Sequence, residues 1–177
     1  MQQLRASWLA VLFLWPLASY AADVDIPELG IRLSMLPPAA SKPQILEQSG
    51  GYQAETRLGS ALLSIYRQDD PVPAGSNVAE PGYRAMLDAR FANGVDSKSE
   101  GAPTAVGGHS AWTVVDARES KDSPTSYICV TYVIVDDHLY RLMVTAQALA
   151  ARPPEFDSLV RAMSGVAFEQ VRRANHG

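Results

Sequence analysis

The strongest hydrophobic pattern of the chain lies in residues 127–146, where two runs of β-branched and aromatic residues flank three polar ones. The polar residues are Asp136, Asp137 and His138. This composition favours strands, and Asp tolerates the positive φ that tight hairpin turns require. Because the first run is apolar at both odd and even positions, we predict a hairpin near the middle of a sheet that is covered on both faces.

Two other segments carry apolar residues at helical spacing, and each places them on one face, as in a helix that lies on a sheet. Pro81 suits the first turn of one helix, and Gly94 and Gly165 follow the two predicted ends. The apolar positions are Tyr83, Met86, Leu87 and Phe91 in the helix predicted over 81–93, and Phe156, Leu159, Val160 and Met163 in the second helix.

Shorter alternating segments predict further strands, and turn residues separate them. Residues 23–30 are expected to be a polar lead-in, and 69–77, with two prolines and a glycine, a loop. The strands are predicted over 31–35, 44–48, 52–58, 61–68, 95–99 and 110–118. Residues 166–171 are expected to add Val166, Phe168 and Val171 to the core or to a sheet edge.

Residues 1–21 have the pattern of a secretory signal peptide. Arg5 makes the N-terminus positive, and Trp8–Leu17 is an apolar run too short to span a bilayer. Small residues up to Ala21 suit a signal peptidase, so we predict cleavage after Ala21 and a periplasmic or secreted protein. The alternatives are an uncleaved anchor and an ordinary buried helix.

Composition and charge narrow the function classes. The formal net charge is −4, with 15 Lys and Arg against 19 Asp and Glu and no basic block, which argues against nucleic-acid binding. The single cysteine, Cys129, lies in the central strand and is predicted to be a small buried hydrophobe; no cysteine follows the apolar run to carry a lipid. We predict one domain over 22–177, with its core at about 30–171, no membrane span in it and no cofactor.

Two turn segments carry side chains that metal ions prefer. Asp69 and Asp70 begin the turn-rich loop, while Asp136, Asp137 and His138 form the hairpin tip. Their spacing is neither that of a calcium loop nor that of a zinc motif. These five residues are therefore candidate metal ligands only if the two segments converge, and two solvated loops are the simpler interpretation.

His109 and Ser110 follow a Gly-Gly pair and raise the possibility of a serine hydrolase. A nucleophile elbow requires Gly two residues after the serine and a helix beyond it. Trp112 stands at that position and a strand pattern follows, so we predict a turn that enters a strand. No catalytic residue is assigned.

The order of elements resembles the Mog1/PsbP-like fold: strands, a turn-rich loop, a helix, antiparallel strands ending in a long hairpin, and a final helix. The resemblance implies an α+β fold over 31–168, with helices packed on the faces of a central antiparallel sheet in an α/β/α sandwich. It is carried by Tyr83–Phe91, Val106–Trp112, Asp136–Tyr140 and Phe156–Met163.

Families with this fold include photosystem II extrinsic subunits, a Ran-binding nuclear factor, exported bacterial lipoproteins and bacterial secretion adaptors, and they are mostly binding or assembly proteins. We therefore expect a non-enzymatic exported protein that binds another protein, as an assembly factor or an immunity protein. A small-molecule or metal-binding periplasmic module is the alternative, and a serine hydrolase is ranked last.

Overall fold

The computed structural model describes residues 22–93, 101–120 and 123–169. Within these ranges the chain forms ten strands and two helices. Their bounds are β1 Ala22–Ile26, β2 Ile31–Leu36, β3 Gln44–Gln48, β4 Gly51–Leu58, β5 Ala61–Gln68, α1 Pro81–Asn93, β6 Ala102–Val106, β7 His109–Ser120, β8 Ser123–Val135, β9 His138–Ala148, α2 Pro154–Ser164 and β10 Val166–Phe168.

Seven strands form one antiparallel sheet in the order β3-β4-β5-β9-β8-β7-β6. The predicted hairpin of β8 and β9 lies in its interior, with neighbours on both sides, so that prediction is confirmed. The two residues of its turn, Asp136 and Asp137, have φ of 50° and 63°. Positive φ at both central residues defines a type I′ turn, which matches the right-handed twist of the flanking strands.

The two faces of this sheet carry separate hydrophobic clusters. The inner face carries alternate residues such as Leu63, Val133 and Leu142, and is covered by α2 and a second sheet of order β1-β2-β10. The outer face carries the intervening residues, and among the described residues Val72, Val78, Tyr83 and Leu87 cover part of it. Strand alternation alone separates the two sets, because successive side chains point to opposite faces.

The predicted α/β/α sandwich of the α+β class is wrong. More than half of the described residues lie in strands, the helices span only 13 and 11 residues, and there are two sheets. The fold is β-rich because Ala22–Ile26, expected as a polar lead-in, and Ala102–Val106, where no strand was predicted, are both strands. The half-buried strand β2 pairs with β1 and β10 instead of joining the main sheet.

Both predicted helices are present, although the first is less buried than its spacing suggested. Helix α1 has the predicted bounds, but Met86 is 37% exposed while Leu87 is fully buried. Helix α2 buries Phe156, Leu159 and Met163 as expected. The strand predicted over 95–99 lies outside the described residues. In the part of the chain that the structure describes, neither helix is long and apolar enough to cross a membrane.

Candidate functional site

A groove with a volume of about 710 Å³ lies at one end of the outer face. It is built where β4 turns into β5 and where β7, β8 and β9 approach the end of the sheet opposite the Asp136–Asp137 turn. We call it the outer groove. Its lining includes Arg57, Leu62, Arg118, Ser126, Ile128 and Thr145.

The floor of the outer groove is a row of side chains across three neighbouring strands. Leu62 on β5 is the register partner of Thr145 on β9, which in turn is the partner of Ile128 on β8. All three are only half-buried. Two residues further along β8, Val130 is 2% exposed beneath the cluster that contains Leu87 and Val78. The described covering of the outer face therefore stops at the groove.

An arginine stands on each side of this floor. Arg57 projects from β4 and Arg118 from β7, with the three strands β5, β9 and β8 between them. Four strand spacings separate the two backbones by roughly 19 Å along a flat sheet. The outer groove thus has a mixed floor, with Thr145 between the apolar Leu62 and Ile128, and a cation at either flank.

The two arginines differ in their electrostatic setting. The Arg118 Nε donates a hydrogen bond to Asp116 Oδ2 at 3.0 Å, and both side chains are largely buried. Within residues 22–93, 101–120 and 123–169, Arg57 forms no ion pair, and it is exposed. Arg57 is consequently the more available cation for an incoming anion, while Arg118 is held in place by its carboxylate.

Hydroxyl and amide groups complete the lining. Ser60, Ser126, Thr145 and Gln147 supply donors and acceptors around the floor. Among the described residues, those that line the groove include no His, Cys, Asp or Glu. The arrangement therefore offers apolar contact, hydrogen bonds and positive charge to a bound group.

The structure brings the two candidate metal-binding segments together, but through their backbones. The Val72 N–H donates to the Asp137 carbonyl at 2.7 Å, and His138 Nδ1 lies 3.0 Å from the carbonyl oxygen of Gln68. Asp69 Oδ1 accepts a contact of 3.5 Å from Arg67. The main chain of Asp70 accepts a hydrogen bond from the side chain of Gln68.

These contacts join the hairpin tip to the loop that runs toward α1. Among the residues that the structure describes, no three His, Cys, Asp or Glu side chains group closely enough to hold a metal ion. The exposed carboxylates of Asp136 and Asp137 belong to the type I′ turn. Hydrogen bonds to backbone carbonyls therefore explain why the two loops lie together, without a metal ion.

His109 and Ser110 are neighbours at the start of β7, so their side chains point to opposite faces of the sheet. The His109 ring makes an edge contact with Phe168, with centroids 5.4 Å apart. Gly107 and Gly108, with φ of 55° and 81°, form the tight turn before the strand. This is the predicted turn entering a strand, and it does not bring the imidazole to the serine hydroxyl.

Cys129 occupies the inner face of β8 and is 2% exposed. Burial raises the pKa of its thiol to about 11, because the thiolate would lose its hydration. The thiol therefore stays protonated at neutral pH and behaves as the small hydrophobe that the sequence predicts.

Sequence reasoning missed the outer groove. Arg57 and Leu62 flank the Gly59-Ser60 turn, and Arg118 precedes a charged hairpin loop, so each looks like an ordinary polar or apolar strand residue. One signal was available: Ile128 alternates with Ser126 near the end of an otherwise doubly apolar strand, which marks where burial of the outer face ends.

Comparison of the chain with protein-family models and with curated proteins found no match. The resemblance to the Mog1/PsbP-like fold therefore remains a prediction from the order of elements, and the α/β/α architecture expected from it is not the one observed.

Proposed function

We propose that this chain is an exported, non-enzymatic binding protein that holds an acidic, partly apolar segment of another protein in the outer groove. The proposal is carried by one observation: two apolar side chains, Leu62 and Ile128, are left half-exposed on the sheet between two arginines. Apolar surface rimmed by polar groups is typical of interaction sites.

The distance between the two arginines suits a bound segment as wide as an α-helix. An α-helix with its side chains is about 10–12 Å across, so it fits between two backbones roughly 19 Å apart. Its apolar stripe would lie on Leu62 and Ile128. Acidic side chains on its two flanks would then meet Arg57 and Arg118.

The apolar floor and the arginines contribute differently. Burying apolar surface contributes about 25 cal/mol per Å², so Leu62 and Ile128 would supply most of the affinity. An exposed ion pair contributes only about 0.2–1 kcal/mol, so Arg57 would mainly select acidic partners and speed their association. Binding should therefore weaken with salt without being abolished by it.

The alternative is a small anionic molecule, since a groove of about 710 Å³ is within the size range of ligand pockets. A small molecule would engage one arginine, whereas a protein segment that lies across the floor would depend on both. Charge reversal at each flank separates the two possibilities.

The test is affinity capture with the tagged mature protein from an envelope extract of its own organism, followed by mass spectrometry. We expect one stoichiometric protein that is lost with Leu62→Asp and is captured in reduced amount with Arg57→Glu and with Arg118→Glu. Arg161→Glu is the matched control, because Arg161 is exposed on α2, the helix that covers the inner face. A partner retained equally by all variants, or no stoichiometric partner, would contradict the proposal.

A further inference from the structure

We propose that β3 pairs with β3 of a second copy of this chain, antiparallel and centred on Leu46, so that the two seven-stranded sheets become continuous. Strand β3 forms one edge of the large sheet, and all five of its residues are exposed. Ile45 and Leu46 are 37% and 40% exposed, which is unusual for an edge left to solvent. This surface is separate from the outer groove and does not depend on its function.

The register of β3 with β4 determines which backbone N–H and C=O groups of β3 point away from the sheet. The turn from β3 to β4 contains two residues, and Gln48 and Gly51 flank it as register partners. Residues that flank such a turn exchange backbone hydrogen bonds, and the direction then alternates along an antiparallel strand. Leu46 therefore directs its N–H and C=O groups toward β4, while Ile45 and Glu47 direct theirs outward.

These outward groups have no hydrogen-bond partner within the described residues. They select the register of a second copy, because opposed residues must both point outward to form bonds. Centring on Leu46 places Ile45 opposite Glu47 of the second copy and Glu47 opposite its Ile45. This register completes four backbone hydrogen bonds.

Registers shifted by one residue in either direction are less favourable for pairing. Centring on Glu47 places two carboxylates directly opposite each other, which is destabilising. Centring on Ile45 brings Pro43 into the pairing, and proline has no N–H to donate. The register centred on Leu46 avoids both problems.

The side chains of this register are self-complementary. Leu46 meets Leu46 of the second copy in a non-hydrogen-bonded pair, where the backbones approach to about 4.5 Å and the side chains touch. Gln44 lies opposite Gln48 of the second copy, so two amides with both donors and acceptors face each other. A two-fold axis through Leu46 relates all these contacts, as in an isologous dimer.

The contact is limited to five residues from each copy, so the buried area falls below that of a standard interface. Weak, concentration-dependent association is therefore expected. A covalent probe at the two-fold axis captures such a dimer more directly than a measurement of mass.

The experiment is disulfide trapping with the mature chain under mild oxidation. Leu46→Cys should yield a covalent dimer, since the two Cα atoms would lie within the reach of a disulfide, whose usual Cα separation is about 4.4–6.8 Å. Gln48→Cys is the control in the same exposed strand: in this register the two sulfurs lie about 13 Å apart along the strand, too far to bridge. The native Cys129 is buried, so the unmodified chain gives the background.

A second variant tests the backbone pairing by sedimentation. Ile45→Pro removes an outward N–H and leaves the bonds to β4 intact, so the variant should stay monomeric while the natural chain shows a concentration-dependent rise in mass. Trapping of Gln48→Cys as efficient as that of Leu46→Cys would overturn the proposal. So would identical sedimentation of the Ile45→Pro and natural chains.

Discussion

The two faces of the seven-stranded sheet are built from the same strands but are covered to different extents. On the inner face, α2 and the three-stranded sheet bury a continuous cluster that includes Leu63, Leu142, Phe156 and Leu159. On the outer face, a smaller cluster around Trp112 and Leu87 is buried, and the remainder of the face ends in a groove flanked by two arginines.

Because of this difference, the inner face would mainly stabilise the fold, and the exposed part of the outer face would be free to bind a partner. A sealed apolar face contributes to the free energy of folding through burial and close packing. A half-exposed apolar strip contributes little to folding and keeps that surface available for a partner. The same substitution should therefore cost neighbouring residues on one strand very different amounts of folding free energy.

The largest expected effect contrasts two adjacent leucines on β5. Leu63 is 1% exposed on the inner face, so Leu63→Ala should lower the free energy of unfolding by about 2–5 kcal/mol through lost burial and a residual cavity. Leu62 is half-buried in the groove floor, so Leu62→Ala should cost less than half as much. Urea denaturation of both variants measures the difference, and equal losses would contradict the comparison.

The outer-face cluster offers the next effect, because α1 is fastened to the sheet at Trp112. The Trp112 Nε1–H donates to Asp88 Oδ1 at 2.9 Å, and the Arg84 guanidinium lies 4.6 Å from the ring centroid. Asp88→Ala removes a charged acceptor, and we expect a loss of about 1.5–3 kcal/mol.

Fluorescence reports on this contact, because cleavage of the predicted signal peptide leaves Trp112 as the only tryptophan of the chain. Asp88→Ala should shift its emission to longer wavelength as water reaches the indole. Asp157→Ala, on the opposite helix α2, is the matched control and should leave the emission unchanged. An unshifted spectrum in the Asp88 variant would show that the hydrogen bond does not hold α1 in place.

The stability of the protein at alkaline pH reports on the burial of Cys129 on the inner face. Its folded-state pKa is raised above the ordinary value of 9.0 to about 11, so the neutral thiol stabilises the fold below pH 9. That contribution is lost as pH rises from about 9 through 11, because the unfolded chain releases the proton first. Chemical denaturation across this interval should show a steeper decline for the natural chain than for Cys129→Val, and parallel declines would contradict the assignment.

The smallest effect concerns the turn that joins β8 and β9, far from the groove. Asp137 has a φ of 63°, which glycine adopts without the steric cost that a Cβ atom brings. Asp137→Gly should therefore raise the free energy of unfolding by about 0.5–1 kcal/mol, and the Asp137 carbonyl that accepts the Val72 N–H is retained. Thermal denaturation should show a small increase in Tm. A decrease would assign the carboxylate a role in stability.

Local pattern predicted the elements whose signals are strong and self-contained. The β8–β9 hairpin has β-branched composition together with a turn that requires positive φ, and α2 combines helical spacing with a proline at its start. Such elements are specified by neighbours in sequence, so a single chain suffices to identify them.

Long-range pairing was not predictable in this way. Strand β1 alternates Ala22, Val24 and Ile26 with Asp23 and Asp25, so its strand character was visible in the sequence and was overlooked. Its place in a separate sheet was not visible, because that sheet is completed by β10 from the far end of the chain. The outer groove was missed for the same reason, since Arg57 and Arg118 lie 61 positions apart and meet only through the order of the strands. The fold class was wrong because the predicted helices were given a whole layer each, whereas a second sheet shares the inner face with α2.

The most direct test of the outer groove as the binding surface is site-specific photo-crosslinking in the native envelope. A photoreactive residue at Thr145, on the groove floor, should give one defined adduct with another protein. The same residue at Val115, which is 54% exposed and on the inner face of β7, is the control and should give none. An adduct at Val115 alone, equal adducts at both positions, or none at Thr145 would contradict the proposed role of the groove.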